Sequence, residues 1–193
     1  RPYKTLDDVF EQVEFFVDAV SDYKSDFVLF PEYFNAPLMA KFNHLGEAQS
    51  IRGLAQYTEE VRDRFINLAI SYNINIITGS MPYVKEDGGL YNVGFLVRRD
   101  GSYEMYEKVH VTPDEIKSWG LSGGKMVQTF DTDCAKIGIL ICYDVEFPEL
   151  SRIMADQGMQ ILFVPFLTDT QNGYSRVRVC AQARAIENEC FVV

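Results

Sequence analysis

Two rhythms of apolar residues run along the chain. From Leu6 through Val9, Phe10, Val13, Phe16, Val17 and Val20, hydrophobic side chains recur at helical spacing with acids between them. This predicts an amphipathic helix opened by Thr5, with Asp8 three residues on as its capping partner. A second helix is predicted after Thr58, on Val61, Phe65, Leu68 and Ala69. Short apolar runs predict buried strands instead: DFVLFPE, INIITGS, AKIGILICYD, MQILFVPF and a final CFVV. LYNVGFLVRRDG and SYEMYEKVH form a predicted hairpin turning at Asp100-Gly101, and MVQTFDTD pairs with AKIGILICYD. Further helices are predicted on TPDEIKSWG, with Thr112 as cap and Pro113 in the first turn, on PELSRIMADQ, and on YSRVRVCAQARAIEN.

Strand–helix–strand units mixed with hairpins predict an α/β layered fold, and continuous apolar strands such as IGILIC require helices over the sheet. At 193 residues the chain fits one domain over 1–193, with no low-complexity linker. It opens on RPYKT and stops at CFVV in mid-strand, so both ends read as cut and further segments are expected there.

Charge narrows the partners. Eighteen Lys and Arg against 28 Asp and Glu leave a formal net charge of −10, which disfavours a nucleic-acid backbone or an anionic membrane as partner. There is no basic block, no N-terminal apolar leader and no 18-residue apolar run. The four cysteines show no CxxC spacing and are too few for a disulfide scaffold, which is the pattern of a soluble protein of the reducing cytoplasm with free thiols.

Three ionisable residues stand at the ends of apolar strands. Glu32 follows FVLFP, Lys108 ends SYEMYEK, and Cys142 ends KIGILIC. In open α/β sheets the ligand crevice lies beyond the carboxyl ends of the strands. A cysteine must lose its proton to attack, and a glutamate can take it. A lysine can hold the anion and then the oxyanion of an attacked carbonyl, with the Tyr143 amide N–H as a second donor. No cofactor or metal is required by this chemistry, and the two histidines have no metal-ligand spacing.

FPEYF, YEKVHVTPDE and GILICYDVEFPEL, in this order, resemble the three signatures of the nitrilase-related carbon–nitrogen hydrolase family, which surround a Glu, a Lys and a Cys. Residue by residue these map onto Glu32, Lys108 and Cys142, and the helix carrying ARAIEN is similar too. The resemblance implies an αββα sandwich of two mixed sheets covered by helices, and a homodimer paired through helical faces. It also implies hydrolysis of small non-peptide amides, or of nitriles, through a thioester on the cysteine. The second glutamate common in that family falls on Glu115. The stretch after Lys108 is similar to a little-characterised branch, some members of which are joined to an acetyltransferase-like domain.

Plainer readings stand beside these. Cys142 can be a buried structural thiol, as Cys134, Cys180 and Cys190 are expected to be. Lys108 can be a surface lysine, and Glu32 a solvated residue after a strand. Glu149, in the second FPE, suits the start of a helix. Glu115 fits a capping box with Thr112, a role hard to combine with catalytic support. His110, two residues past Lys108 and on the same face of a strand, permits a papain-like pair with Cys142. His44 is expected to be inert, while Tyr33, Tyr83, Trp119 and Phe166 are either core or pocket wall. The alternatives in function are a catalytically silent binding homologue and an acyltransferase that uses an amine acceptor.

Overall fold

The computed structural model describes Tyr3 and residues 5–193. Helix α1 (Leu6–Asp22) begins at the predicted cap: Thr5 Oγ1 accepts from the Asp8 amide, and the Asp8 carboxylate accepts from the Thr5 amide. Its stripe of Leu6, Val9, Phe10, Val13 and Val17 packs with α3 (Thr58–Tyr72), where Phe10 meets Phe65 edge-on at 5.3 Å. The stretch between Phe34 and Thr58, for which the hydrophobic pattern predicts nothing regular, holds 3-10 turns and the short helix α2 (Glu47–Leu54).

The strands sort into two mixed sheets. In the first, β1 (Phe27–Leu29) lies parallel to β2 (Asn75–Ile77), which pairs antiparallel with β4 (Leu90–Val97). On β4 also lie β3 (Met81–Val84), β5 (Tyr103–Glu107) and the two-residue β6 (Leu121–Ser122). The β4–β5 hairpin turns where Asp100-Gly101 predicts it, with Gly101 at φ +86°. The second sheet runs β10 (Phe191–Val192), β9 (Ile161–Phe163), β8 (Lys136–Ile139), β7 (Thr129–Asp131).

Alternation along the strands explains the layering. Ile76, Phe95 and Val97 face the α1–α3 layer, whereas their neighbours Ile77 and Leu96 face the second sheet. There they join Ile137, Ile139, Leu162 and Phe163, and Phe27 of one sheet meets Phe163 of the other at 5.1 Å. Helices α4 (Pro148–Asp156) and α5 (Gln171–Asn188) cover the far side, contributing Leu150, Met154 and Val177. The order helix, sheet, sheet, helix is the expected αββα sandwich. Among the described residues no helix is long and apolar enough to cross a membrane.

Candidate active site

Each candidate reaches the site from its own element. Glu32 sits just past β1, one residue before Tyr33, whose backbone is left-handed at φ +50°. Lys108 follows β5 directly; its amide donates to the Asn92 carbonyl on β4 at 2.9 Å. Cys142 lies three residues beyond β8 and opens a 3-10 turn through Glu146, with φ +48°. A left-handed non-glycine residue costs about 1–3 kcal/mol and persists only where its surroundings hold it, a condition common at reacting groups. Here the Cys142 amide is tied to the Pro165 carbonyl at 2.9 Å. The bend turns the thiol out of the strand direction, toward a cavity of about 700 Å³.

Glu32, Lys108, Glu115, Cys142 and Tyr143 all line that cavity, and Tyr33 and Trp119 form part of its wall. Lys108 is 2% exposed and Glu32 3%, so neither is the solvated side chain of the plainer readings. Lys108 Nζ donates to Glu32 Oε1 and to both oxygens of Glu115, each at 2.8 Å. Glu32 Oε1 also accepts from Asn92 Nδ2 at 3.0 Å, and Oε2 from the Leu167 amide at 3.1 Å. Cys142 Sγ lies 3.8 Å from the Leu167 carbonyl.

The electrostatics follow from burial and pairing. Burial raises the pKa of Glu32, with Lys108 pulling against it. Burial works against the Lys108 ammonium, yet the two carboxylates outweigh it and raise its pKa, so it stays charged. Burial also opposes the Glu115 charge, but Lys108, the Thr112 amide and the Tyr33 hydroxyl hold its carboxyl below the usual range. Cys142 is pushed up to about 12 by burial and then by the nearby Glu32 charge, with Lys108 pulling the other way. The resting sulfur is therefore a thiol facing a carboxylate whose affinity for protons is increased. A carboxylate so placed has the chemistry to accept the thiol proton.

Glu115 reconciles two roles that the sequence sets against each other. Its Oε2 accepts from the Thr112 amide at 2.7 Å, its own amide donates to Thr112 Oγ1 at 3.3 Å, and the same carboxylate still holds Lys108. The turn is also wider than an ordinary helix, a π-turn over Glu115–Trp119 in which the Gly120 amide reaches back to the Glu115 carbonyl. The capping box and the ion pair share one side chain because each carboxylate oxygen accepts more than one donor. Tyr33 Oη donates to Oε1 at 2.8 Å.

His110 takes a different place from the papain-like alternative. β5 ends at Glu107, so strand alternation no longer governs residue 110. Its Nδ1 faces Asp144 Oδ1 at 3.2 Å and its ring stacks on Phe147 at 3.7 Å. Among the described residues no hydrogen bond links it to Cys142. Glu149 is exposed in the first turn of α4, as its helix-start reading expects. Tyr143 is half-buried in the first turn after Cys142, where amide N–H groups have no acceptor within the helix.

Two buried polar residues join the site without having been candidates. Asp144 accepts from the Val109 amide at 3.1 Å and the His110 amide at 2.7 Å, pinning the segment after Lys108 to the turn after Cys142. Asn92 bonds Glu32 through its side chain and Lys108 through its carbonyl. Their only signal in the sequence is a polar residue inside an apolar run, LYNVGFLV and ILICYDV.

The chain matches the family model described as carbon-nitrogen hydrolase over residues 2–193. It is 50% identical over 182 residues to the "probable hydrolase YhcX" of Bacillus subtilis, covering 94% of this chain and 35% of that protein. To the omega-amidase NIT2 of Homo sapiens it is 32% identical over 178 residues, covering 86% of this chain and 60% of that one. The chain thus spans from about a third to three fifths of the length of these curated relatives. Among solved structures, a Saccharomyces cerevisiae member of branch 10 of the nitrilase superfamily is similar with a TM-score of 0.78 and 26% identity, covering 94% of this chain and 66% of that one. A carbon-nitrogen hydrolase from Helicobacter pylori reaches 0.83 at 21% identity, over 100% of this chain and 69% of that one, a likeness of fold.

Proposed function

We propose that this chain, which belongs to the carbon–nitrogen hydrolase family, hydrolyses small non-peptide amides through a thioester on Cys142. The observation that carries the proposal is the meeting of Glu32, Lys108 and the Cys142 thiol at one cavity, with Lys108 Nζ 2.8 Å from Glu32 Oε1 and the Leu167 backbone touching both Glu32 Oε2 at 3.1 Å and Cys142 Sγ at 3.8 Å. Glu32 takes the thiol proton as Sγ attacks the carbonyl carbon. Lys108 and the Tyr143 amide hold the oxyanion, and the amine leaves with the proton that Glu32 returns. Water enters next. Glu32 deprotonates it, Glu115 steadies Lys108, and collapse of the second tetrahedral adduct frees the acid and restores the thiol.

Amide substrates are favoured because a relative at 32% identity is named an omega-amidase. The cavity volume falls in the range of small-molecule sites. One carbon–nitrogen hydrolase domain over 1–193 is supported by the family match over 2–193. A homodimer is supported by apolar side chains left exposed on α5, Val179 at 62% and Ile186 at 80%. A reducing, cytoplasmic setting agrees with four free thiols.

The test is a panel of small amides, ureas and nitriles with intact-protein mass spectrometry during turnover. An acyl adduct on Cys142, absent in C142A, is the expected result. Turnover that survives C142A would sink the proposal, and product made only when an amine acceptor is added would make the protein an acyltransferase.

A further inference from the structure

Asn92 lies within the apolar strand β4 and is fully buried, among neighbours that are mostly hydrophobic. Its amide is only half used: Nδ2 donates to Glu32 Oε1, while Oδ1 has no partner among the described residues. Glu32 dictates that orientation, since the flipped amide would set Oδ1 against a carboxylate oxygen. A buried acceptor left without a donor costs stability, so packing alone gives no reason for an asparagine here.

The two oxygens of Glu32 differ accordingly. Oε1 is filled by Lys108 at 2.8 Å and Asn92 at 3.0 Å. Oε2 receives only the Leu167 amide at 3.1 Å, and the carbonyl of that same Leu167 meets Cys142 Sγ at 3.8 Å. Leu167 therefore touches both the open oxygen and the sulfur.

We infer that Asn92 is a positioning residue that saturates Glu32 Oε1, so that Oε2 is the oxygen that takes the proton of Cys142. The inference rests on the reading of Cys142 as nucleophile and Glu32 as base. Glu32 is faced by Lys108, Glu115, Tyr33 and the Cys142 thiol. Among the described residues, the Cys142 thiol aside, Asn92 is the only uncharged side chain that donates a hydrogen bond to it. A donor to the ionised carboxylate favours that form, so its removal raises the pH at which Glu32 loses its proton.

The experiment follows alkylation of Cys142 by iodoacetamide against pH, with peptide mass spectrometry, in the wild type, N92L, N92D and E32Q. Circular dichroism and thermal melting accompany it. N92L keeps the branched, four-heavy-atom outline of the side chain, though with more bulk, and removes the donor. Its rate should climb at a pH roughly half a unit or more above the wild type while the fold stays intact. N92D sets a second carboxylate beside Glu32 and should move the climb up by roughly one unit or more. If N92L is folded and climbs with pH as the wild type does, Asn92 is structural and the inference falls, even where melting shifts. Should N92L not fold, an unmoved N92D overturns it equally. The underlying site reading fails separately, if wild-type Cys142 reacts no faster than Cys134, Cys180 and Cys190 or if E32Q leaves its rate unchanged.

Discussion

Glu115 grips Lys108 with both carboxylate oxygens at 2.8 Å while the same side chain caps the turn at Thr112. Two residues seven positions apart thus join a helix start to a strand end, and the lysine is left with its charge shared between Glu115 and Glu32.

That sharing makes Glu115→Gln informative. Gln keeps one carbonyl oxygen to accept from the Thr112 amide, its NH2 can donate to the Tyr33 hydroxyl in place of the lost acceptor, and the charge that pairs with Lys108 is gone. Turnover should fall about tenfold or more through kcat. Thr112→Ala instead removes the cap bond to the Glu115 amide and should cost about 1 kcal/mol of stability with a smaller effect on rate. Steady-state kinetics beside urea unfolding separate the two.

Lys108→Met leaves two buried carboxylates without a counter-ion. Breaking a buried pair by removing one partner costs about 3–5 kcal/mol, so the variant should unfold at much lower urea than the wild type. Lys108→Met combined with Glu115→Gln should recover part of that loss without recovering activity. Additive losses in the double variant would show that the charges do not communicate.

The pH dependence follows from Glu32. Burial raises its pKa, and attack requires it ionised, so the rate rises with pH through a value above the ordinary carboxylate range and is lost below it. Glu32→Gln removes the base, and although the thiol loses the part of its upward shift that Glu32 supplies, burial still opposes its ionisation, so alkylation at neutral pH should fall by roughly 10²-fold. A profile set by a group titrating in the ordinary carboxylate range would contradict the assignment.

Asp144 links pH to stability. Burial pushes its carboxyl from an ordinary 3.8 up to about 6, against the pull of the His110 and Val109 amides. The folded state therefore holds this proton more tightly than the unfolded one. The group's contribution to stability is fully present below 3.8 and declines as pH rises to about 6. Asp144→Asn cannot titrate, so the stability advantage of the wild type over this variant should shrink across that window. Urea unfolding at a series of pH values measures it, and a gap that widens with pH would refute the sign.

Residue type and local spacing made much of the protein legible. The capped first helix, the Asp100-Gly101 hairpin and the strand ends carrying Glu32, Lys108 and Cys142 were all readable, because periodicity and turn chemistry act over a few residues. The wider turn at Glu115–Trp119 and the short helices between Ala36 and Tyr57 were not, since neither follows a simple apolar period.

What the sequence by itself determined was which groups the chain has to spend and where its strands and helices break. Only the tertiary structure decided which groups meet. It bound Asn92 to Glu32 across 60 residues, Lys108 to Glu32 across 76 and Tyr33 to Glu115 across 82. It turned Cys142 into a left-handed bend, and it sent His110 to Asp144 instead of the thiol. The physical reason is range. Local preference is settled by neighbours along the chain, whereas a hydrogen bond or a desolvated charge answers to whatever the packed sheets bring within about 3 Å.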